Sequence, residues 1–129
     1  MTEKDEKLLL RDLCARLPHK VKISIPDLWI NKERIETLNE IFKGNDDLYR
    51  VNDSGLLIKY IKPYLFPLSS MTDEQKMFLK QQNWCIAIST SGTVETTVEG
   101  IDWLNKNHFD FRGLIPMGLA IDATGLNIY

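Results

Sequence analysis

Residues 21–61 read VKISIPDLWINKERIETLNEIFKGNDDLYRVNDSGLLIKYI, and the way this stretch folds decides the architecture of the chain. Val21, Ile23 and Ile25 alternate with Lys22 and Ser24, which predicts a half-buried strand over 21–25 that ends, or runs along a sheet edge, at Pro26. Between Asn31 and Phe42 the spacing of Ile35, Leu38, Ile41 and Phe42 suits a helix. Thr37 and Asn39 do not favour one, and the segment runs into Lys43-Gly44-Asn45-Asp46-Asp47, a hairpin-type turn, so strand is the preferred assignment. Asp47–Asn52 and Leu56–Ile61 then form two further strands about the turn Asp53-Ser54-Gly55. Four short strands in close succession predict an α+β fold with a small curled antiparallel sheet, whose closed form would be an SH3-like barrel.

Ahead of this stretch, TEKDEKLLLRDLCARL over residues 2–17 predicts an amphipathic helix. Thr2 caps it, acidic residues fill the first turn, Leu10, Leu13, Cys14 and Leu17 recur at helical spacing, and Pro18 stops it. After it comes KPYLFPLSS, residues 62–70, where two prolines predict an extended surface connection that cannot be a central strand. Tyr64, Leu65 and Phe66 in that segment read as core plugs. Thr72-Asp73-Glu74-Gln75 is a capping box that opens a second helix running to about Gln82. Trp84, Ile86 and Ile88 make the apolar face of a further strand, broken by Ser91-Gly92. Thr97 caps a third helix from Val98 to about Asn107, with Gly100 as an unfavourable interior residue. Residues 111–117 predict a helical turn stopped by Gly118, and Leu119–Ile121 a last short strand. The N-terminal helix is thus followed by two to three more. A length of 129 residues fits one domain over 1–129, with 1–62 and 71–129 as sub-lobes if the two parts keep separate cores.

The net charge of −2 is unevenly spread: residues 71–129 carry four basic against seven acidic side chains. That balance argues against wide contact with phosphates, which needs clustered Lys and Arg, and leaves room for a small basic patch. Cys14 and Cys85 each sit among apolar residues and predict buried, reduced thiols. The charged opening MTEKDEKLLL does not resemble a secretory signal, and no apolar run approaches the roughly 18 residues of a membrane span, so the expected location is cytoplasmic, without membrane contact.

Catalysis needs a nucleophile beside a base. The candidates are Cys14, Cys85 and the serines at 69, 70, 89 and 91, with His19 and His108 as bases, and no nucleophile-elbow or thiol signature surrounds them. His108 and Asp110 form an H-x-D pair six residues or more beyond Asp102 and are the catalytic candidates. The structural alternative is favoured: Asp110 caps the turn that follows, and His108 ends the third helix. A metal centre would require a second histidine nearby, and Gly113 and Gly118 do not form a phosphate loop, so neither metal nor cofactor is expected. Lys22, Lys32, Arg34, Lys43, Arg50, Lys59 and Lys62, with Tyr49 or Tyr60 for stacking, could form a weak nucleic-acid face. Seven acidic residues in the same region favour a mixed-charge surface. The preferred function is an interaction module for an unidentified protein partner, with Trp29, Tyr64, Trp103 and Tyr129 as candidate anchors.

LLLRDLCARLPHKVK, IKPYLFPLSSMT and DWLNKNHFDFRGLIPMGLAI together resemble a family of uncharacterised small proteins from phage-like and mobile regions of gut Bacteroidetes genomes. That family pairs a similar helix with a KPYL-x-P-SSMT phrase and an HFDYRGLI-type ending. The resemblance covers both ends and the middle and is loose over residues 26–58. Phe111 stands where the family pattern has Tyr, which removes a hydroxyl. The resemblance implies a genomic neighbourhood and no activity.

Overall fold

The structure, a computed structural model, describes residues 1–27, 29, 32–88 and 94–129, with the side chains of 85–88 and 94 left aside. It is α+β, as expected. Helix α1 spans Glu3–Arg16, and its capping box is closed by Asp5: the Thr2 hydroxyl accepts from the Asp5 amide and the Asp5 carboxylate from the Thr2 amide. A 3-10 turn over Leu17–His19 follows, with Pro18 inside it. Strand β1 (Lys22–Asp27) continues through Pro26 and pairs antiparallel with β2 (Lys32–Thr37). The strand assignment in the ambiguous 31–42 segment therefore holds, split by residues 38–40 from β3 (Ile41–Lys43). β3, β4 (Tyr49–Val51) and β5 (Leu56–Leu57) form a separate three-stranded antiparallel sheet. Ile58–Tyr60, expected as strand, turns instead into a 3-10 helix.

The largest correction is Lys62–Pro67. The two-proline segment is β6, the centre of the main sheet, whose order is β10-β6-β1-β2, with β9 (Phe109–Asp110) also on β6. The Leu65 carbonyl accepts from Ala123, just after β10 (Ile121–Asp122), while the Phe66 amide donates to the His108 carbonyl just before β9. Those two groups belong to one peptide unit and point to opposite edges. β1 and β9 therefore share one edge of β6 end to end, and β10 takes the other. By the same alternation Pro63 and Pro67 aim their missing N–H towards the β10 edge, outside the paired positions Tyr64 and Leu65. Neither proline removes a ladder bond. Because β9 and β10 run parallel to β6, the sheet is mixed, and among the described residues the strands do not close into a barrel.

Helix α2 (Asp73–Gln81) starts at the Thr72–Gln75 capping box. Strands β7 (Cys85–Ile88) and β8 (Val94–Thr96) form a hairpin; β8 had no counterpart in the sequence reading, and the break expected at Ser91-Gly92 lies outside the described residues. Helix α3 (Val98–Lys106) is capped by Thr97. Gly100 belongs there for a packing reason: a Cβ would stand 2.5 Å from the Trp84 carbonyl oxygen.

Two buried clusters result. One is aliphatic: Leu9 and Leu13 of α1 pack on Val21, Ile23, Ile25, Leu38, Val51, Ile61, Leu65 and Leu114. The other is aromatic at its margin: Leu68, Met71, Leu79, Leu104 and Phe109 are joined by Phe66, Trp84, Trp103 and Phe111.

Candidate functional site

The inner face of α1 is not purely apolar. Leu9, Asp12, Leu13 and Arg16 are its buried residues, at the spacing of one stripe, so the fold takes a carboxylate and a guanidinium out of water together. Arg16 Nε donates to Asp12 Oδ2 at 2.9 Å and Arg16 Nη2 to the Phe109 carbonyl at 2.5 Å. Arg112 Nη1 donates to the other Asp12 oxygen at 2.7 Å. The Phe111 ring lies 4.3 Å from the Arg112 guanidinium and 5.6 Å from that of Arg16, an aromatic face meeting two cations. That contact uses the ring, so a hydroxyl at position 111 is not required for it. Burial lowers the Arg112 pKa from its ordinary value, and the neighbouring Asp12 works in the opposite direction. This node links α1 to the segment between β9 and β10. Its signal was present in the sequence as charged residues on the leucine stripe of the first helix.

His108 follows α3 at φ +64°, the left-handed position just beyond the helix C-cap. Its ring stacks on Tyr129, with centroids 3.8 Å apart and planes 14° from parallel. Burial, followed by the positive fields of Arg16, His19 and Lys22, lowers its pKa from 6.5 to about 4. Tyr129 reaches further inward. Its hydroxyl accepts from the Lys22 amide at 2.9 Å and donates to the Tyr64 carbonyl at 2.6 Å, so it is inserted at the place in the β1–β6 ladder where those two groups would otherwise meet. Burial raises the phenol pKa, and the hydrogen bond from the Lys22 amide works against that rise. Arg16 Nη1, Asn105 Oδ1 and His108 Nδ1 are buried without a hydrogen-bond partner among the described residues.

The catalytic candidates are not assembled into acid–base machinery. Both Asp110 oxygens are taken by backbone amides, Oδ1 by Leu114 and Oδ2 by Ile115, each at 2.9 Å. That is the turn-capping role expected from sequence, with His108 ending the helix. Asp102 is exposed on α3, and no hydrogen bond or ion pair joins it to His108 or Asp110 among the described residues. Cys14 is exposed rather than buried, because it falls on the outer side of α1 while Leu13 takes the inner one. Partial desolvation raises its pKa, the reverse of what an activated thiolate needs. Ser89, Ser91 and the Cys85 side chain lie outside the described residues. Among the described residues no group of three His, Cys, Asp or Glu side chains could hold a metal ion, and no helix is long and apolar enough to cross a membrane.

The four binding candidates divide. Tyr64 is buried in the sheet, and Tyr129 is engaged as described. Trp103 stacks on Phe109 with centroids 5.7 Å apart and is half-buried. Trp29 is 97 % exposed at the β1–β2 turn, its amide bonded to the Asp27 carboxylate. Sequence reasoning did not single out Met77, Phe78 and Val98, which are also exposed; of these Phe78 packs at the margin of the aromatic cluster, against Trp84 and Trp103. The basic residues are largely occupied: Arg34 pairs with Asp27 and Glu36, Lys43 with Asp47, Arg50 with Asp46, and Lys22 donates to Thr37. A groove of about 360 Å³ between α1 and the β4–β5 hairpin has Leu10, Leu48 and Tyr49 in its wall and carries charges of both signs, Glu6 and Lys59 among them.

Compared with protein-family models, curated proteins and solved structures, the chain finds no match.

Proposed function

We propose that this chain is a non-enzymatic interaction module that docks on another protein through Trp29. The observation that carries the proposal is the exposure of that indole. It is the most exposed large apolar side chain among the described residues, at the tip of a hairpin anchored in the main sheet. Trp is highly buried on average in folded proteins and is enriched among the residues that dominate interface energies. Met77, Phe78 and Val98 are further exposed apolar side chains. The occupied state of the Asp110 oxygens and the exposure of Asp102, with no hydrogen bond or ion pair to His108 among the described residues, support the non-enzymatic side of the proposal. The resemblance to small proteins of phage-like regions supports a partner encoded by a mobile element, or a host factor that such an element addresses.

Affinity capture from native lysate, with tagged wild type beside Trp29→Ala, tests the proposal. A protein retained by the wild type and lost by the variant at unchanged melting temperature is the expected result. Identical captures from both would remove Trp29 as the anchor.

A further inference from the structure

The outer edge of β2 carries a pattern of its own. The Leu38 amide donates to the Val21 carbonyl, which fixes the hydrogen-bonded pairs of the β1–β2 ladder. Stepping by two residues, Glu36, Arg34 and Lys32 direct their backbone groups towards β1, so Glu33, Ile35 and Thr37 direct theirs outward. β2 is the end of the main sheet, and among the described residues the only outward group already engaged is the Thr37 carbonyl, which accepts from Asn52. Ile35 is 46 % exposed on this edge. The edge is therefore a free template for another strand, in a segment whose charges, Lys32, Glu33, Arg34 and Glu36, restrict what can pair there.

We propose that this edge pairs with the same edge of a second copy of the chain, antiparallel, with the two-fold axis at Ile35. Outward-facing residues must oppose outward-facing residues, which limits the symmetric registers to those centred on a residue. Centring on Glu33, Arg34 or Glu36 sets identical charges directly opposite one another, which is destabilising. Centring on Ile35 places the two isoleucines in contact and sets Arg34 of each copy opposite Glu36 of the other. In that register the Ile35 amide and carbonyl of each copy bond those of the other, and the Thr37 amide of each bonds the Glu33 carbonyl of the other. Asn52 remains on the Thr37 carbonyl and ends the ladder there. Self-association does not use Trp29, so it stands or falls separately from the capture of another protein.

Sedimentation equilibrium of the purified full chain, carried to millimolar concentration, reads the proposal against the monomer mass of 14.9 kDa. The wild type is expected to reach twice that mass. Ile35→Lys, at an exposed position, should weaken association by at least about tenfold while circular dichroism and melting temperature stay unchanged. Arg34→Glu and Glu36→Arg should each fail to self-associate, because each sets like charges opposite, whereas an equimolar mixture of the two should form a heterodimer. A wild type that stays monomeric at millimolar concentration overturns the proposal. So does a dimer indifferent to Ile35→Lys, or one whose charge variants are not rescued by mixing.

Discussion

The cluster beneath α1 and the cluster bounded by α2, α3 and β9 differ in material and in closure. The first is aliphatic, with an enclosed centre: Leu9, Leu13, Val21, Ile23, Ile61, Leu65 and Leu114 have no accessible surface, while Leu8, Leu10, Ile41 and Leu56 are partly buried around it. The second has Leu104 at its centre and aromatic rings at its rim, from Trp103 stacked on Phe109 to Phe78, which meets Trp84 edge to face while 40 % exposed. Branched aliphatic side chains interdigitate to high density and seal a space. Large flat rings cover more area each and leave edges at the surface, where they can contact something else. One cluster therefore holds the sheet together, and the other combines support with an apolar surface. Asp12, Arg16 and Arg112 lie at the junction.

The sharpest way to break this division is to cut the junction. Asp12→Ala leaves the fully buried Arg16 guanidinium without its carboxylate and should cost about 3–5 kcal/mol in urea unfolding, with both clusters losing cooperativity. Within the clusters, Leu13→Ala should cost about 2–5 kcal/mol, while Phe78→Ala, at the open rim, should cost less than about 1 kcal/mol; similar losses would mean that the aromatic rim is as structural as the aliphatic core. Gly100→Ala opposes two effects. Alanine favours the helix by up to about 1 kcal/mol, but its methyl meets the Trp84 carbonyl, so a net loss of about 1–2 kcal/mol is expected in a thermal melt. A pH dependence is expected at His108 as well. Above pH 6.5 the imidazole is neutral in both folded and unfolded chains; as pH falls from 6.5 towards about 4 the unfolded chain takes up a proton that the folded chain resists, so stability declines across that window. His108→Asn tolerates the left-handed backbone and should flatten the decline, measured as melting temperature against pH.

Local signals were legible where one residue type decides one local geometry. The Thr2, Thr72 and Thr97 caps and the alternation of 21–25 all correspond to observed elements, and the Asp110 turn cap was read from its neighbours. The failures have a common cause, which is pairing between residues distant in sequence. KPYLFP looked unfit for a central strand because proline cannot donate; whether that matters depends on which edge each proline addresses, and that is set by β9 and β10 more than forty residues later. Cys14 illustrates a smaller version. It lies beside Leu13 on the helix, and a shift of one position carried it from the packed side to the exposed one. Of the four binding candidates, Trp29 is exposed, whereas Tyr64 and Tyr129 serve the interior. The Arg16–Asp12–Arg112 node required the fold to bring positions 12 and 112 together.

The hydroxyl of Tyr129 in the β1–β6 ladder has a kinetic consequence. Amides held by strand partners exchange with solvent only when the sheet opens, but the Lys22 amide is held by a side chain from another segment. It should exchange at the rate at which residues 123–129 lift away, well ahead of the flanking β1 amides. A single exchange rate at Lys22 thus clocks the detachment of that segment, and Tyr129→Phe, which removes the acceptor, should abolish the protection while the other β1 amides keep theirs.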